Sequence, residues 1–256
     1  MNLYLNDQLF IVGGATSGFG KAVAHALLNE GANVIAVARG EEQLHEQYDM
    51  HSNAEVVVGD ITESTTIEAL KYLVADRELH GMLVNAGGPP AKTVLETTLT
   101  DWDDAYKKIL RWKVELTQAF VPAMINAGYG RIVYVESSSV KQPIENLVLS
   151  TSLRLAVVGF VKTLSQEIAK SGVTLNILGP GSHNTPAIDR LYHKKSEQTG
   201  LDFDTVKQAA IQQIPVGRLG DADDFASLAL WLLSKHSGFV TGQTMMVDGG
   251  AVRSTL

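Results

Sequence analysis

Short, unbroken apolar runs recur along this chain, each followed by glycine or a polar turn and then by a stretch of helical period. Leu9 to Val12, Asn33 to Ala38, Glu55 to Val58, Gly81 to Val84, Arg131 to Val135, Val173 to Leu178 and Thr244 to Val247 are the runs. Leu9–Val12 and Ile132–Val135 are continuous rather than alternating, as strands covered on both faces must be. Strands that alternate with helices predict βαβ units, so the fold class expected is α/β, a doubly wound parallel sheet with helices on both faces. A chain of 256 residues fits a single domain of that kind, 1–256, with no repeat or linker to divide it.

Between the strands, the periodicity predicts helices over Gly18 to Asn29 (Val23, Ala26 and Leu27 inward) and over Thr62 to Leu79 (Ile67, Leu70, Tyr72, Leu73 and Val74 apolar). A long helix from about Asp101 to Ala127, bent near its middle, starts with Thr100 and Asp103 spaced as a capping box. Further helices are expected over Leu147 to Lys170 and Asp221 to Ser234. The polar, mixed stretch 186–215 reads as an insertion or lid.

Composition narrows the partners. The net charge of −7 would repel phosphate backbones, so nucleic acid is excluded as a partner. The basic run Lys107, Lys108, Arg111 and Lys113 reads as one solvated helix face. Without cysteine there can be no disulfide, thiolate nucleophile or thiolate metal site, and the seven histidines show no metal-binding pair at helical spacing. No leader sequence is visible, and no apolar segment is expected to cross a bilayer. A cytoplasmic protein with no membrane partner is the expectation.

In a sheet of this kind ligands bind outside the carboxyl ends of the strands, where strand order reverses. The first run ends in Gly13-Gly14-Ala15-Thr16-Ser17-Gly18-Phe19-Gly20. Glycines here permit a tight turn and let backbone N–H groups approach a pyrophosphate, while the next helix points its positive end at the phosphates. Asp60-Ile61 follows the third strand, Asn85-Ala86-Gly87-Gly88 the fourth, and Pro180-Gly181 with Thr185 the sixth. Pro215, Gly217-Arg218, Thr241-Gly242-Gln243 and Asp248-Gly249-Gly250 come near the end.

In that order and spacing these segments resemble the short-chain dehydrogenase/reductase family over nearly the whole chain. The resemblance implies a Rossmann fold and a nicotinamide dinucleotide held by Gly14, Ser17, Gly18, Phe19, Gly20, Asp60, Ile61, Asn85, Ala86, Gly87, Pro180, Gly181 and Thr185. Gly13 stands where the family usually has threonine, which costs one side-chain hydrogen bond. After the second strand, Ala38-Arg39-Gly40 offers a cation where an acid would select NAD(H); Arg39 suits a 2′-phosphate, so NADP(H) is favoured and NAD(H) stays open. Family members associate through their two long helices, which implies a homo-oligomer, a dimer or tetramer, with Val157, Val158, Phe160, Val161 and Leu164 as candidate contacts or core.

The family's proton-transfer residues are a different matter. A tyrosine exchanges the substrate proton, a lysine four residues on lowers its pKa from ~10, a serine orients the substrate and an asparagine holds a water relay. Aligned on Arg131–Ser139, Ala156–Phe160 and Thr117–Pro122, the serine falls on Ser137 (with Ser138 as a rival), the tyrosine on Ser150, the lysine on Arg154 and the asparagine on Ile109. An alkyl hydroxyl is far less acidic than a phenol, and a guanidinium does not relay protons. Arg154 can still bind the nicotinamide ribose. Losing acid–base help costs about 10²–10⁴ in rate without forbidding hydride transfer. Lys141 is the best alternative proton donor, ahead of Tyr192 and His183. Two functions remain open: an oxidoreductase acting on a small-molecule carbonyl or alcohol through an altered proton donor, and a catalytically silent dinucleotide-binding protein.

Overall fold

Alternate residues of each strand face opposite sides of the sheet, and this splits the apolar core in two. Residues 1–255 are described in the computed structural model. Seven parallel strands run in the order β3-β2-β1-β4-β5-β6-β7. They are β1 (Leu9–Gly13), β2 (Asn33–Ala38), β3 (Ala54–Val58), β4 (Gly81–Val84), β5 (Gly130–Val135), β6 (Val173–Pro180) and β7 (Thr244–Val247). From β1, Phe10 and Val12 join one core, with α1 (Gly18–Asn29), α2 (Glu41–Tyr48) and α9 (Ala222–Leu233). Leu9 and Ile11 join the other, under α3 (Ser64–Val74), α5 (Trp112–Ala127) and α6 (Val148–Glu167). Each fully buried Leu, Ile or Phe there contributes about 1.5–3 kcal/mol. Strand order reverses between β1 and β4, which opens the crevice at their carboxyl ends.

Several expectations shift. The long helix is three pieces: α4 (Leu99–Tyr106), a π-turn over Lys107–Arg111, and α5. The bend is therefore a π-turn, where the Trp112 indole donates to the carbonyl of Lys108 at 2.8 Å. Its capping box is Thr98 with Asp101, two residues before the expected pair. The third-strand helix is shorter than Thr62–Leu79, and Tyr72, expected among its apolar members, is exposed. The short helix α2 went unread because its only buried residues are Leu44 and Tyr48. Within the stretch 186–215, α7 (Pro186–Thr199) and α8 (Phe203–Ile211) share a small core of Tyr192, Val206, Ile214 and Leu219.

Two corrections bear on charge. Lys107, Lys108 and Arg111 are exposed, but Lys113 is buried, because the π-turn sets its side chain on the inward face beside Ile109. Helix α6 reaches the length and composition of a membrane span, with a mean hydropathy of 1.3, contrary to expectation. Here its apolar side, Val157 and Val161, packs into the core beneath the sheet.

Candidate active site

The strand-to-helix turn after β1 is built for close approach. Gly14 and Gly18 take φ of +66° and +52°, where a side chain would be strained. A Cβ on Gly20 would overlap the carbonyl oxygen of Gly14, so the helix can sit on the turn only without one. Ser17 is the extended N-cap of α1, its side chain makes no capping bond, and the first turn carries no acid. The helix N-terminus therefore keeps its N–H donors for an anion. Tyr48 donates to the carbonyl of Ala15 at 2.6 Å and anchors the turn from below; burial pushes its phenol well up. Phe19 wedges between Phe225 (4.3 Å) and His183 (5.0 Å between centroids).

Neighbouring strand ends close on this turn. Asn85 Nδ2 donates to Gly13 O at 3.1 Å and would lie 2.7 Å from a Cβ on Gly14. Gly13 is more than a lost hydrogen bond, since any Cβ there would overlap the Asn85 carbonyl oxygen and crowd Ile61. Beyond Asn85, Ala86 is half-buried and Gly87 exposed. Gly181 follows Pro180 and bonds through its N–H to Val247 O at 2.9 Å. Thr185, buried, brings its Cγ2 to 3.5 Å from where a Cβ on Gly18 would stand. At the far edge, exposed Arg39 lies 3.9 Å from Asp60, whose carboxylate also accepts from the backbone and hydroxyl of Thr62 (3.0 and 2.8 Å). An open helix terminus and a cradle that a Cβ would fill fit the pyrophosphate of a dinucleotide, with the Asp60-paired cation of Arg39 just after the second strand.

At the other end of the crevice stand the residues aligned with the proton-transfer set. Ser137 caps a short 3₁₀ turn, its Oγ accepting from the N–H of Ser139 at 3.1 Å. Ser150 and Arg154 are buried one turn apart on α6, and Arg154 Nε donates to Ser150 Oγ at 3.1 Å. Arg154 Nη1 donates to Val135 O at 3.2 Å and to the Glu136 carboxylate at 2.9 Å. The other oxygen of Glu136 accepts from Lys113 Nζ. Lys113, Glu136 and Arg154 thus form one buried chain of charges directly beneath Ser137 and Ser150. Burial pulls Lys113 down to about 8; the Glu136 carboxylate opposes this and the Arg154 cation adds to it. Thr117 gives its proton to the Lys113 carbonyl at 2.6 Å, leaving the Tyr134 hydroxyl to donate to Thr117 at 2.7 Å.

Ile109 sits in the apolar core, so the asparagine position holds no polar group at all. The substitutes fare as ordinary residues. Lys141 is exposed; its backbone N–H donates to Ser138 O at 3.0 Å, and its side chain hydrogen-bonds none of the described residues. His183 is buried against Phe19 with Nδ1 3.0 Å from the Gly181 carbonyl, and Tyr192 belongs to the small α7–α8 core, where burial raises its phenol. The sequence places Lys113 on a solvated helix face and gives Glu136 no role, although both leave a signal of burial. Lys113 lies four residues after inward Ile109, and Glu136 is an acid at the carboxyl end of a central strand.

Comparison with known proteins agrees with this geometry. A family profile described as enoyl-(acyl carrier protein) reductase matches residues 14–252. A 3-oxoacyl-[acyl-carrier-protein] reductase of Vibrio cholerae is 29% identical over 96% of this chain and 98% of its own length. Dehydrogenase/reductase SDR family member 6 of Xenopus laevis is likewise 29% identical over 96% of this chain and 98% of its own. Among solved structures, an actinorhodin polyketide ketoreductase with NADPH superposes with a TM-score of 0.90 at 29% identity, covering 96% of this chain and 98% of its own. The chain belongs to the short-chain dehydrogenase/reductase family.

Proposed function

We propose that this protein is an NADP(H)-dependent oxidoreductase that interconverts a small-molecule carbonyl and its alcohol without the family's tyrosine. The observation that carries the reading is continuity along one crevice. The glycine cradle, Thr185 over Gly18, and Arg154 beside Gly88 line the carboxyl ends of β1, β4, β5 and β6 in turn. The relatives point the same way, since the ketoreductase was solved with NADPH and the Vibrio cholerae protein is a 3-oxoacyl reductase.

When bound, the nicotinamide supplies or accepts the hydride, which is the cofactor's own chemistry. The chain's part is to hold and polarise. Gly14, Ser17 and Gly18 would present backbone N–H groups to the pyrophosphate, Asp60 and Ile61 would border the adenine, and Arg39 would meet the 2′-phosphate. Asn85, Ala86, Gly87, Pro180, Gly181 and Thr185 would hold the nicotinamide half. Ser137 and Ser150 orient the substrate oxygen by hydrogen bonds. With its Oγ accepting from Arg154, Ser150 keeps its own proton free to donate. Donors of this kind stabilise negative charge growing on oxygen, which substitutes in part for a transferred proton.

Titration with NADPH and NADH by fluorescence, followed by NADPH oxidation against ketones, aldehydes and 3-oxoacyl thioesters, tests the reading. The expected result is tighter binding of NADPH and turnover on a carbonyl. The replacement of the tyrosine, lysine and asparagine positions favours a second reading, a silent dinucleotide-binding protein. Tight NADPH binding with no turnover across the panel would favour it, and failure to bind either cofactor would overturn both. A homo-oligomer joined through the outer faces of α5 and α6 goes with either reading. A groove of about 560 Å³ lies there, lined by Val121, Ile125, Phe160 and Leu164, and sedimentation at the monomer mass would refute it.

A further inference from the structure

The buried chain at the head of the crevice does not balance its charge. Lys113 and Arg154 bring two cations to one carboxylate, Glu136, and all three side chains are nine-tenths or more buried. Arg154 spends Nε on Ser150 and Nη1 on Val135 and Glu136, while Nη2 makes no hydrogen bond to the described residues. That unused edge faces Gly88, where an added Cβ would stand 3.5 Å from Nη2, and Gly88 itself is exposed. A desolvated surplus charge is costly unless an anion meets it. The pyrophosphate cradle lies at the glycine turn and the Arg39 cation after the second strand, and the nicotinamide ribose that Arg154 is expected to meet is neutral and leaves the charge unbalanced.

We propose that the Nη2 edge of Arg154 is a carboxylate subsite, and hence that the substrate is an oxo acid, a carbonyl compound carrying its own carboxylate. Glu136 fixes the guanidinium plane by taking Nη1, and Lys113 holds Glu136 while supplying the surplus positive charge. Lys113 and Glu136 are therefore positioning residues, and Arg154 is the residue that touches the ligand. Deprotonating Lys113 would remove the surplus. The groups that face it are Glu136 at the end of β5 and Arg154 on α6, with Tyr134 nearby held neutral by burial. The substrate class rests on the oxidoreductase reading, but the subsite is testable without turnover.

The test is calorimetric binding of oxamate, a small unreactive carboxylate, and of oxamide, its uncharged counterpart, to the purified chain with and without NADPH. Oxamate is expected to bind and oxamide not to. Arg154→Met should abolish oxamate binding, and Lys113→Met should weaken it about tenfold or more while Glu136 still holds Arg154. A purely structural lysine would leave the affinity unchanged in Lys113→Met. Gly88→Ala sets a methyl 3.5 Å from Nη2, an ordinary contact distance, and it too should weaken oxamate binding. Equal affinity in the wild type and these three variants would overturn the proposal. Turnover of uncharged ketones with no oxamate binding would also overturn it while leaving the reductase reading intact. Oxamate binding with no affinity for NADPH would sink the reductase reading and keep the subsite.

Discussion

β5 buries an arginine near each of its ends, and the two are compensated in opposite ways. At the amino end, Arg131 donates from Nε to Ser234 O (3.1 Å) and from Nη1 to the carbonyls of Gly130 and Gly172 (2.9 Å each). Its guanidinium also lies 4.3 Å from the centre of the Tyr129 ring. Neutral dipoles and an aromatic face spread that charge with no carboxylate involved, while Nη2 makes no hydrogen bond to the described residues and faces Gly238. At the carboxyl end, Arg154 shares one carboxylate with a second cation and turns an unbonded edge toward the crevice.

The sharpest way to break this comparison is Glu136→Leu, which leaves Lys113 and Arg154 facing each other with no carboxylate between them. A loss of about 3–5 kcal/mol in denaturant unfolding is expected, and a loss under about 1 kcal/mol would mean that the chain of charges is not a unit. Arg131→Met should cost less, about 1–3 kcal/mol for carbonyls left unpaired, with NADPH and oxamate affinity untouched. Changed oxamate affinity there would erase the distinction between the two ends.

Next comes the cofactor edge. Arg39→Glu should reverse the preference between NADPH and NADH by about tenfold or more, read by paired fluorescence titrations. An unchanged ratio would leave Arg39 a surface residue.

A pH series probes Lys113 alone. Its folded-state pKa is depressed to about 8, so the lysine is charged below that and neutral above it. Oxamate affinity should therefore hold near pH 7, fall as pH rises through 8, and show no such step in Lys113→Met. A step that survives the substitution would assign the titration elsewhere. The smallest effect is expected at Lys141. Lys141→Ala should change stability by no more than about 0.5 kcal/mol and leave turnover unaltered, since the side chain is exposed and makes no hydrogen bond to the described residues. A large fall in turnover would restore it as the proton donor.

Legibility followed the range of the interactions. The glycine turn could be read because its constraint is local: Gly14, Gly18 and Gly20 are required by the backbone of their own segment. The bend of the long helix was legible as a bend but not as a π-turn, because the pattern of apolar residues barely changes when one extra residue is looped out. Thr98 with Asp101 and Thr100 with Asp103 share the same spacing, and only the backbone bonds choose between them. Tyr72 looks inward by composition, yet it lies on the side of α3 opposite the buried Leu70 and Val74 and faces solvent.

By itself the sequence determined the seven-strand α/β architecture and the dinucleotide cradle, because each is written in contiguous residues or fixed spacings. Tertiary structure decided what stands at the head of the crevice beside Ser150. Lys113, Glu136 and Arg154 come from α5, the end of β5 and α6, separated by 23 and 18 residues. Each taken alone resembles a surface charge. Only their burial in one place, where water cannot screen them, turns three unremarkable charges into a single group with one positive charge left over.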